Sequence, residues 1–308
     1  MTTLDTMLRE LVDDLLVAID EVTGEWRPCW SRTTSLPHNA QTGVPYRGAN
    51  TIILWAAQLR THYTTPTWAT YKQWLALGGQ VRKGETGQHC VKWVVPTPKD
   101  DATTNTKTRG LIPTSFVVFN SQQQDGWSAD THDGVAPGDL FTEWQRMIAA
   151  VPAKYIEGKP CYVPALDLVS LPPSFNDPAL GAGVISHELA HWTGHADRLA
   201  RDLSGRFGDE AYAGEELVAE ISAAMTCNLF GLPAEVRRDD HARYVKHWLA
   251  VLDNDPKLLM TAATAAQKAT DHLLSYSEDT TPWSPPPTST SSTPSNEPLS
   301  TPTSLLPA

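Results

Sequence analysis

The stretch His187-Glu188-Leu189-Ala190-His191 decides how the second half of the chain is interpreted. Side chains four residues apart lie on one face of a helix, so both imidazoles can reach one cation. Glu188 lies where it can accept a proton from a water molecule without binding the ion itself. Small and apolar neighbours, from Gly181 to Ile185, favour a buried helix. Buried histidines and carboxylates are costly unless they are paired or bind a metal, so the stretch predicts a metal site.

Four residues compete as the third protein ligand. We predict Glu216, because it lies on a later helix, which is the arrangement of gluzincin-type sites. Glu220 lies one turn further along the same face and is either the ligand or the acceptor of the second N–H of a histidine ligand. The local alternatives are Asp197, which stands at the last position of a metzincin-like spacing, and His195, next to the glycine turn.

The ligand set determines the chemistry that we expect. With the two histidines and Glu216 as ligands, a fourth position stays open, as in catalytic zinc sites. The predicted reaction is metal-assisted hydrolysis with Glu188 as the general base, and Tyr212 or His195 stabilises the oxyanion. Zinc is the expected ion, and manganese is the alternative because it suits an oxygen ligand.

Composition excludes several classes of protein. The 308 residues correspond to about two domains, and apolar runs such as Leu15 to Ile19 are too short for a transmembrane helix. The first residues do not have the basic and apolar segments of a secretory signal. The four cysteines are scattered and form no Cys-x-x-Cys pair, which argues against a disulfide framework. We therefore expect a cytoplasmic protein with no membrane partner.

Charge is distributed unevenly along this chain, whose net charge is −11. The segment from Trp26 to Lys99 contains nine lysines and arginines and one acid, Glu85, so its formal charge is +8 and that of the remainder is −19. Six tryptophans are interleaved with these cations. The combination suits single-stranded DNA, whose bases stack on aromatic rings while its phosphates contact the cations. Helix-turn-helix and zinc-finger patterns do not occur in the sequence, which argues against sequence-specific recognition of a duplex.

The aromatic and basic residues of this segment divide into core and contact positions. Trp55, Trp68 and Trp74 have helical spacing and are expected in the core. The glycine-flanked pair Arg82-Lys83 places two cations beside backbone N–H groups, which suits a phosphate. The predicted DNA-binding residues are Trp26, Arg27, Trp30, Tyr46, Arg47, Asn50, Lys72, Arg82 and Lys83.

The apolar patterns predict an α+β fold in two domains. A small mixed α/β N-terminal domain covers residues 1–127, a linker 128–139, and a mostly helical domain 140–277. Residues 278–308 are rich in proline, serine and threonine and are predicted to be disordered. The N-terminal helices are predicted over 4–22, over 51–59 and from an N-cap at Thr67 to residue 77, and the later ones over 140–150, 182–193, 212–230, 238–252 and 256–274.

Two sets of motifs occur together in the chain. The first half contains Trp26-Arg-Pro-Cys-Trp30, Gly43-x-x-Tyr46-Arg47-Gly48-x-Asn50, Pro66-x-Trp68-x-Thr70-Tyr71-x-Gln73-Trp74 and Gly78-Gly79-x-Val81-Arg82-Lys83-Gly84. The second half contains His187-Glu-Leu-Ala-His191-Trp-Thr-Gly-His195 and Tyr212-Ala-x-Glu215-Glu216-Leu-x-Ala219-Glu220. Over about residues 5–275 this combination resembles the ArdC antirestriction proteins.

The resemblance implies a protein of a plasmid or phage that binds single-stranded DNA and shields incoming DNA from restriction. It also implies a zincin-like metallopeptidase domain after the DNA-binding domain. The first hypothesis is therefore an antirestriction protein whose metal site is accessory. The alternative is an active metallopeptidase, acting on a protein or peptide, that uses DNA binding only for localisation. Glu188 bears on the choice, because a purely structural metal site does not need a carboxylate there.

Overall fold

The computed structural model describes residues 35–94, 112–128, 137–205, 210–232 and 257–277, together with residues 6, 9, 252, 255, 299 and 300. Over these residues the helices are α1 (Ala49–Thr61), α2 (Tyr71–Ala76), α3 (Pro137–Ala150), α4 (Pro178–Thr193), α5 (Glu210–Leu229) and α6 (Lys257–Leu274). Apart from residues 6, 9 and 252, the predicted helices over 4–22 and 238–252 lie outside the described residues, as does nearly all of the tail.

A mixed four-stranded sheet forms the N-terminal half, in the order β1-β2-β5-β4. Strands β1 and β2 are parallel, and the other pairs are antiparallel. A separate antiparallel pair joins β3 to β6. The bounds are β1 (His38–Asn39), β2 (Thr67–Ala69), β3 (Gln80–Val81), β4 (Gln88–Val94), β5 (Ile112–Asn120) and β6 (Gln124–Asp125).

The C-terminal half combines helices α3 to α6 with a three-stranded sheet in the order β7-β9-β8. Its strands are β7 (Lys154–Glu157), β8 (Cys161–Val163) and β9 (Leu168–Leu171), with β9 parallel to β7 and antiparallel to β8. A short antiparallel pair joins β10 (Ser174–Phe175) to β11 (Leu299–Ser300), which lies in the tail that we predicted to be disordered. None of the helices in the described ranges is long and apolar enough to span a membrane.

The expected core position of the three tryptophans is confirmed, but the start of α2 is not where we predicted it. Trp55, Trp68 and Trp74 are all buried. Thr67 does not cap a helix, because β2 pairs with β1 on one side and β5 on the other and so holds Thr67–Ala69 extended. The cap is Thr70, whose hydroxyl accepts a hydrogen bond from the Gln73 backbone N–H while the Gln73 side chain accepts from the Thr70 N–H.

Helix α1 is buried on two faces and thereby joins the two halves. Leu54 and Ala57 pack with Trp68, Cys90 and Val118 of the sheet. A second face belongs to the core of the C-terminal half, and its residues follow the three- and four-residue spacing of one helical face: Ala49, Ile52, Ile53 and Ala56. The hydrophobic core therefore continues across the domain boundary that the sequence suggested.

This shared core predicts that a cavity in α1 loosens both halves. Ile52→Ala removes a fully buried side chain and should lower the free energy of unfolding by about 2–5 kcal/mol. Hydrogen exchange should become faster in α6 as well as in α1. Ile156→Ala is the matched control, because Ile156 is 47% exposed and its truncation should change stability little. Faster exchange confined to the N-terminal half would show that the halves unfold independently.

Candidate metal centre

Three donor side chains meet where α4 packs against α5. His187 and His191 project from α4, and their Nε2 atoms are 3.1 Å apart. Glu216 of α5 places one carboxylate oxygen 3.6 Å from Nε2 of His187 and the other 3.5 Å from Nε2 of His191. The donor atoms all lie within 4.8 Å of one another, and no other such group of three is found among the described residues. Two imidazoles and a carboxylate form a donor set that suits a divalent transition metal.

The cluster is buried, so its charges stabilise one another. His187 is fully buried, and Glu216 is 8% exposed. Burial opposes protonation of His191, but the carboxylates of Glu215 and Glu216 outweigh it and raise the pKa of His191 to about 10. Burial likewise opposes ionisation of Glu216, but the two histidines outweigh it and hold the pKa of Glu216 well below its ordinary value. The pocket is therefore built for a positive charge held between a carboxylate and two imidazoles.

The other ligand candidates lie at different distances from this cluster. Glu220 Oε1 is 3.9 Å from Nδ1 of His187, on the side of the ring opposite the donor nitrogen. Asp197 has an 88% exposed side chain and lies 3.5 Å from Nδ1 of His195. Neither Asp197 nor His195 belongs to the donor group. The structure thus brings Glu216 to the two histidines and leaves the two local candidates outside.

A cleft of about 360 Å³ opens beside the donor group. Glu188 lines it although only 1% of the residue is exposed, so the carboxylate is close to the cluster but sheltered from bulk water. Tyr212 also lines this cleft, whereas His195 does not. Of the two residues predicted to stabilise an oxyanion, the structure therefore brings Tyr212 to the site.

Two residues of the site were missed by the sequence reasoning. Glu215 Oε1 lies 3.0 Å from Nδ1 of His191, on the ring edge away from the other donors. Arg201 donates to both oxygens of Glu215, at 2.8 and 2.9 Å, and to the Ala190 carbonyl at 2.7 Å. A carboxylate in this position fixes the tautomer and orientation of a metal-binding histidine. The sequence feature that could have indicated Glu215 is its position next to Glu216, since both carboxylates lie beside His191.

A glycine turn allows Arg201 to reach the end of α4. The Gly194 N–H donates to the His191 carbonyl at 2.8 Å and closes the helix. A Cβ added at Gly194 would lie 2.9 Å from a guanidinium nitrogen of Arg201 and 3.0 Å from the His191 carbonyl oxygen. A larger residue at this position would therefore displace the arginine that holds Glu215.

A second arginine fastens the segment after α4 to the wall of the cleft. Arg198 forms a two-pronged ion pair with Asp167, donates to the Trp192 carbonyl at 2.6 Å, and stacks 3.8 Å above the Trp192 ring. It also donates to the hydroxyl of Tyr162, a residue that lines the cleft. The Arg198 guanidinium lowers the pKa of Asp167 to about 2.

Several predicted DNA-binding residues are engaged within the protein. Arg82 donates to Glu85 and Asp125 and to the carbonyls of Gln122 and Gln124. Its side chain therefore holds β3 to β6. Two other predicted DNA-binding residues, Asn50 and Tyr46, also form hydrogen bonds within the protein. The Asn50 amide bonds both backbone groups of Val91, and the Tyr46 hydroxyl bonds Asn39 and the Trp68 carbonyl.

The remaining predicted DNA contacts divide into exposed residues and residues that are not described. Lys72 and Lys83 are exposed. Arg47 has a 59% exposed side chain and an ion pair with Asp271 of α6. Trp26, Arg27 and Trp30 lie outside the described residues. Of the predicted cations in the described part of the chain, Arg47 and Arg82 thus form ion pairs with acids of the protein itself.

Comparison with known proteins assigns each half to a family. Residues 5–119 match the model of the N-terminal domain of the anti-restriction factor ArdC, and residues 142–265 match that of a zincin-like metallopeptidase. The crystal structure of metal-free ArdC from plasmid R388 is 33% identical, with a TM-score of 0.71 over 88% of this chain and 97% of that one. The chain belongs to the ArdC antirestriction family. The resemblance stated from the motifs is thereby confirmed.

Other ArdC relatives extend the comparison. The Mn(II)-bound structure of R388 ArdC is also 33% identical, with a TM-score of 0.67 over 89% of this chain and 98% of that one. The protein y4eC of Sinorhizobium fredii is 34% identical over 87% of this chain and 92% of its own length. Two DNA primases TraC of Escherichia coli are 31% and 30% identical over 87% of this chain, which spans only 20% and 27% of their lengths.

The contact between Glu215 and His191 predicts that Glu215 strengthens metal binding. Glu215→Ala removes the acceptor of the ring N–H and should weaken the affinity for Zn²⁺ or Mn²⁺ about 10- to 100-fold. Metal titration of the purified protein measures this change. Glu157→Ala, on exposed β7, is the control and should bind metal like the wild type. Equal affinities for the two variants would contradict the assigned role of Glu215.

The ion pair between Asp167 and Arg198 predicts a pH-dependent contribution to stability. The pKa of Asp167 is lowered, so its contribution is present above the ordinary Asp pKa of about 3.9 and is lost as the pH falls through about 2. Asp167→Asn should lower the melting temperature at pH 6, and Asn tolerates the positive φ of 48° at this position. The difference from the wild type should shrink between about pH 4 and pH 2. A difference independent of pH would show that the charge of Asp167 is not responsible.

Proposed function

We propose that this ArdC-family protein binds single-stranded DNA, protects that DNA from restriction, and carries a metal-dependent peptidase site in its C-terminal half. The observation that carries the proposal is the meeting of His187, His191 and Glu216 beside a cleft that Glu188 lines. Membership of the antirestriction family supports the DNA-directed part. The Mn(II)-bound structure of R388 ArdC supports the presence of a metal.

The donor set assigns a role to each residue of the site. His187, His191 and Glu216 would hold a divalent ion, zinc or manganese, which supplies a Lewis acid that polarises a peptide carbonyl. Glu188 accepts a proton from the attacking water and delivers it to the amine that leaves when the peptide C–N bond breaks. The Tyr212 hydroxyl, on the wall of the cleft, donates to the oxygen on which negative charge develops.

Two features support single-stranded DNA as the partner of the N-terminal half. The segment from Trp26 to Lys99 has a formal charge of +8 in a chain whose net charge is −11. A polyanion such as DNA is therefore attracted to this part of the protein. Two relatives are named DNA primase, and they align with 87% of this chain at 31% and 30% identity. We expect the protein to bind single strands with little sequence preference, because every base can stack on an aromatic ring.

The position of Glu188 also favours a second candidate function, an active metallopeptidase that uses DNA only for localisation. Burying a carboxylate costs free energy, and a metal site that is only structural gains nothing from it. The carboxylate lines the cleft beside the donor group, where a general base has to be. In this case the main activity of the protein is peptide hydrolysis, and DNA binding only brings the protein to its site of action.

Two variants of the full chain separate these roles. Glu216→Ala should lower the metal content strongly, because it removes a ligand from the group of three. Glu188→Gln should keep the metal and abolish hydrolysis of an unfolded protein such as casein. Both variants should bind a fluorescent oligo(dT) like the wild type, with an affinity that falls steeply with salt. Metal analysis, peptidase assay and fluorescence anisotropy provide the three measurements.

Each part of the proposal can fail separately. Full metal retention in Glu216→Ala, with loss in Glu220→Ala, would move the ligand assignment to Glu220. Equal metal content in His187→Ala and the wild type would reject the site. Wild-type protein that binds duplex as tightly as single strand, or binds independently of salt, would reject the DNA-binding part.

A further inference from the structure

Part of the wall of the metal cleft belongs to the connection between α4 and α5. Three residues of this rim segment, which covers residues 202–205, line the cleft: Asp202, Leu203 and Gly205. Asp202 is exposed, and its carboxylate does not belong to the group of metal donors. The cleft therefore contains a charge that the metal centre does not use.

Contacts with both helices hold the rim segment in place. Arg201, directly before it, donates to a carbonyl in the last turn of α4. The Leu203 side chain lies over Gly194, where an added Cβ would be 3.0 Å from Leu203 Cδ2. Gly205 passes so close to the start of α5 that an added Cβ would be 2.5 Å from the backbone nitrogen of Tyr212. These contacts fix the position of the carboxylate that lies between them.

Hydrogen bonds within the rim segment orient the Asp202 carboxylate and keep it ionised. Its Oδ1 accepts from the Ser204 backbone N–H at 3.0 Å and from the Ser204 hydroxyl at 2.6 Å. These bonds lower the pKa of Asp202, so the group is negative at neutral pH. Within the described part of the chain, Oδ2 accepts no hydrogen bond and forms no ion pair. This oxygen is therefore available to a cation from outside the protein.

The charges around the cleft leave that of Asp202 unbalanced. The described residues that line the cleft include four carboxylates and no lysine or arginine. A divalent ion in the donor group matches the charges of Glu188 and Glu216. The Arg201 guanidinium matches the charge of Glu215. The charge of Asp202 remains, so the cleft attracts a cation and repels an anion.

The cations close to the cleft do not neutralise Asp202. Arg198 is paired with Asp167. Lys159 directly precedes Pro160, which lines the cleft, but Lys159 itself is not a lining residue. Neither of these cations forms an ion pair with Asp202. The partner that this carboxylate suits is therefore a positive group that enters the cleft with a ligand.

We propose that Asp202 makes the cleft select polypeptides with a lysine or arginine side chain beside the bond to be cleaved. The inference rests on the proposed peptidase site and names its substrate class. A long basic side chain can lie along the wall of the cleft with its cation at the rim, while the peptide carbonyl lies at the metal centre. An acidic segment is repelled at the same place.

The test measures peptide binding to the full-length, metal-loaded protein in which Glu188→Gln prevents hydrolysis. The probes are fluorescent peptides in which alanine alternates with lysine, glutamine or glutamate, so the register in the cleft does not matter. Asp202→Asn should lower the affinity for the lysine peptide about 2- to 5-fold, the effect of one exposed ion pair, and leave that for the glutamine peptide unchanged. Asparagine can still accept the hydrogen bonds from Ser204. Asp202→Lys should raise the affinity for the glutamate peptide.

A matched control separates the charge of the rim from the general acidity of the protein. Glu157→Gln removes the same charge from an exposed position on β7 that does not line the cleft. It should leave the affinities for all three peptides unchanged. Fluorescence anisotropy measures the affinities, and melting temperature and metal content establish that each variant is folded.

The outcomes distinguish the role of Asp202 from the proposed peptidase function. Equal effects of Asp202→Asn and Glu157→Gln on the lysine peptide would overturn the role of Asp202, and hydrolysis of casein by the wild type would then leave the peptidase function standing. Loss of lysine-peptide affinity in Asp202→Asn alone, without hydrolysis by the wild type, would support a cleft selective for basic peptides and reject the peptidase function. If none of the peptides binds the metal-loaded protein, the role of Asp202 is overturned.

Discussion

The packing of α4 against α5 is the constraint on which the metal centre depends. Both helices are largely apolar, so their contact buries His187, Glu216 and Glu220 and leaves His191 and Glu215 partly exposed at its edge. These groups are tolerable only because each finds an opposite charge or a hydrogen bond within the same contact. Arg201 completes the set from outside by joining Glu215 to the last turn of α4. The geometry of the donors is therefore fixed by the helix packing.

Much of this arrangement could be predicted because helical periodicity is a local property. The spacing of His187 and His191 places both rings on one face, and the apolar residues around Glu216 indicate that its helix is buried. The same reasoning assigned three tryptophans to the core, and all three are buried. The choice between Glu216 and Glu220 depended on how far α5 slides along α4, which no local pattern specifies.

Sequence reasoning does not anticipate contacts between distant segments. Thr67 has the right chemistry for a helix cap, but pairing with two strands holds it extended. Asn50 and Arg82 stand in a basic loop-rich segment that suggests DNA contacts, whereas their side chains bond Val91 and Glu85 within the fold. The same polar atoms of a side chain can bind a ligand or form hydrogen bonds within the fold. The tertiary structure is needed to show which partner they have.

Helix α1 has a consequence for how this architecture passes between genes. One of its faces completes the sheet core and another completes the helical core, so a cut between the halves would leave an apolar surface on each fragment. We therefore expect recombination between genes to keep the N-terminal and C-terminal halves together. The two DNA primases TraC of Escherichia coli align with 87% of this chain, at 31% and 30% identity, within much longer proteins. The joint between the two halves is a helix that belongs to both cores, so each half covers apolar surface of the other.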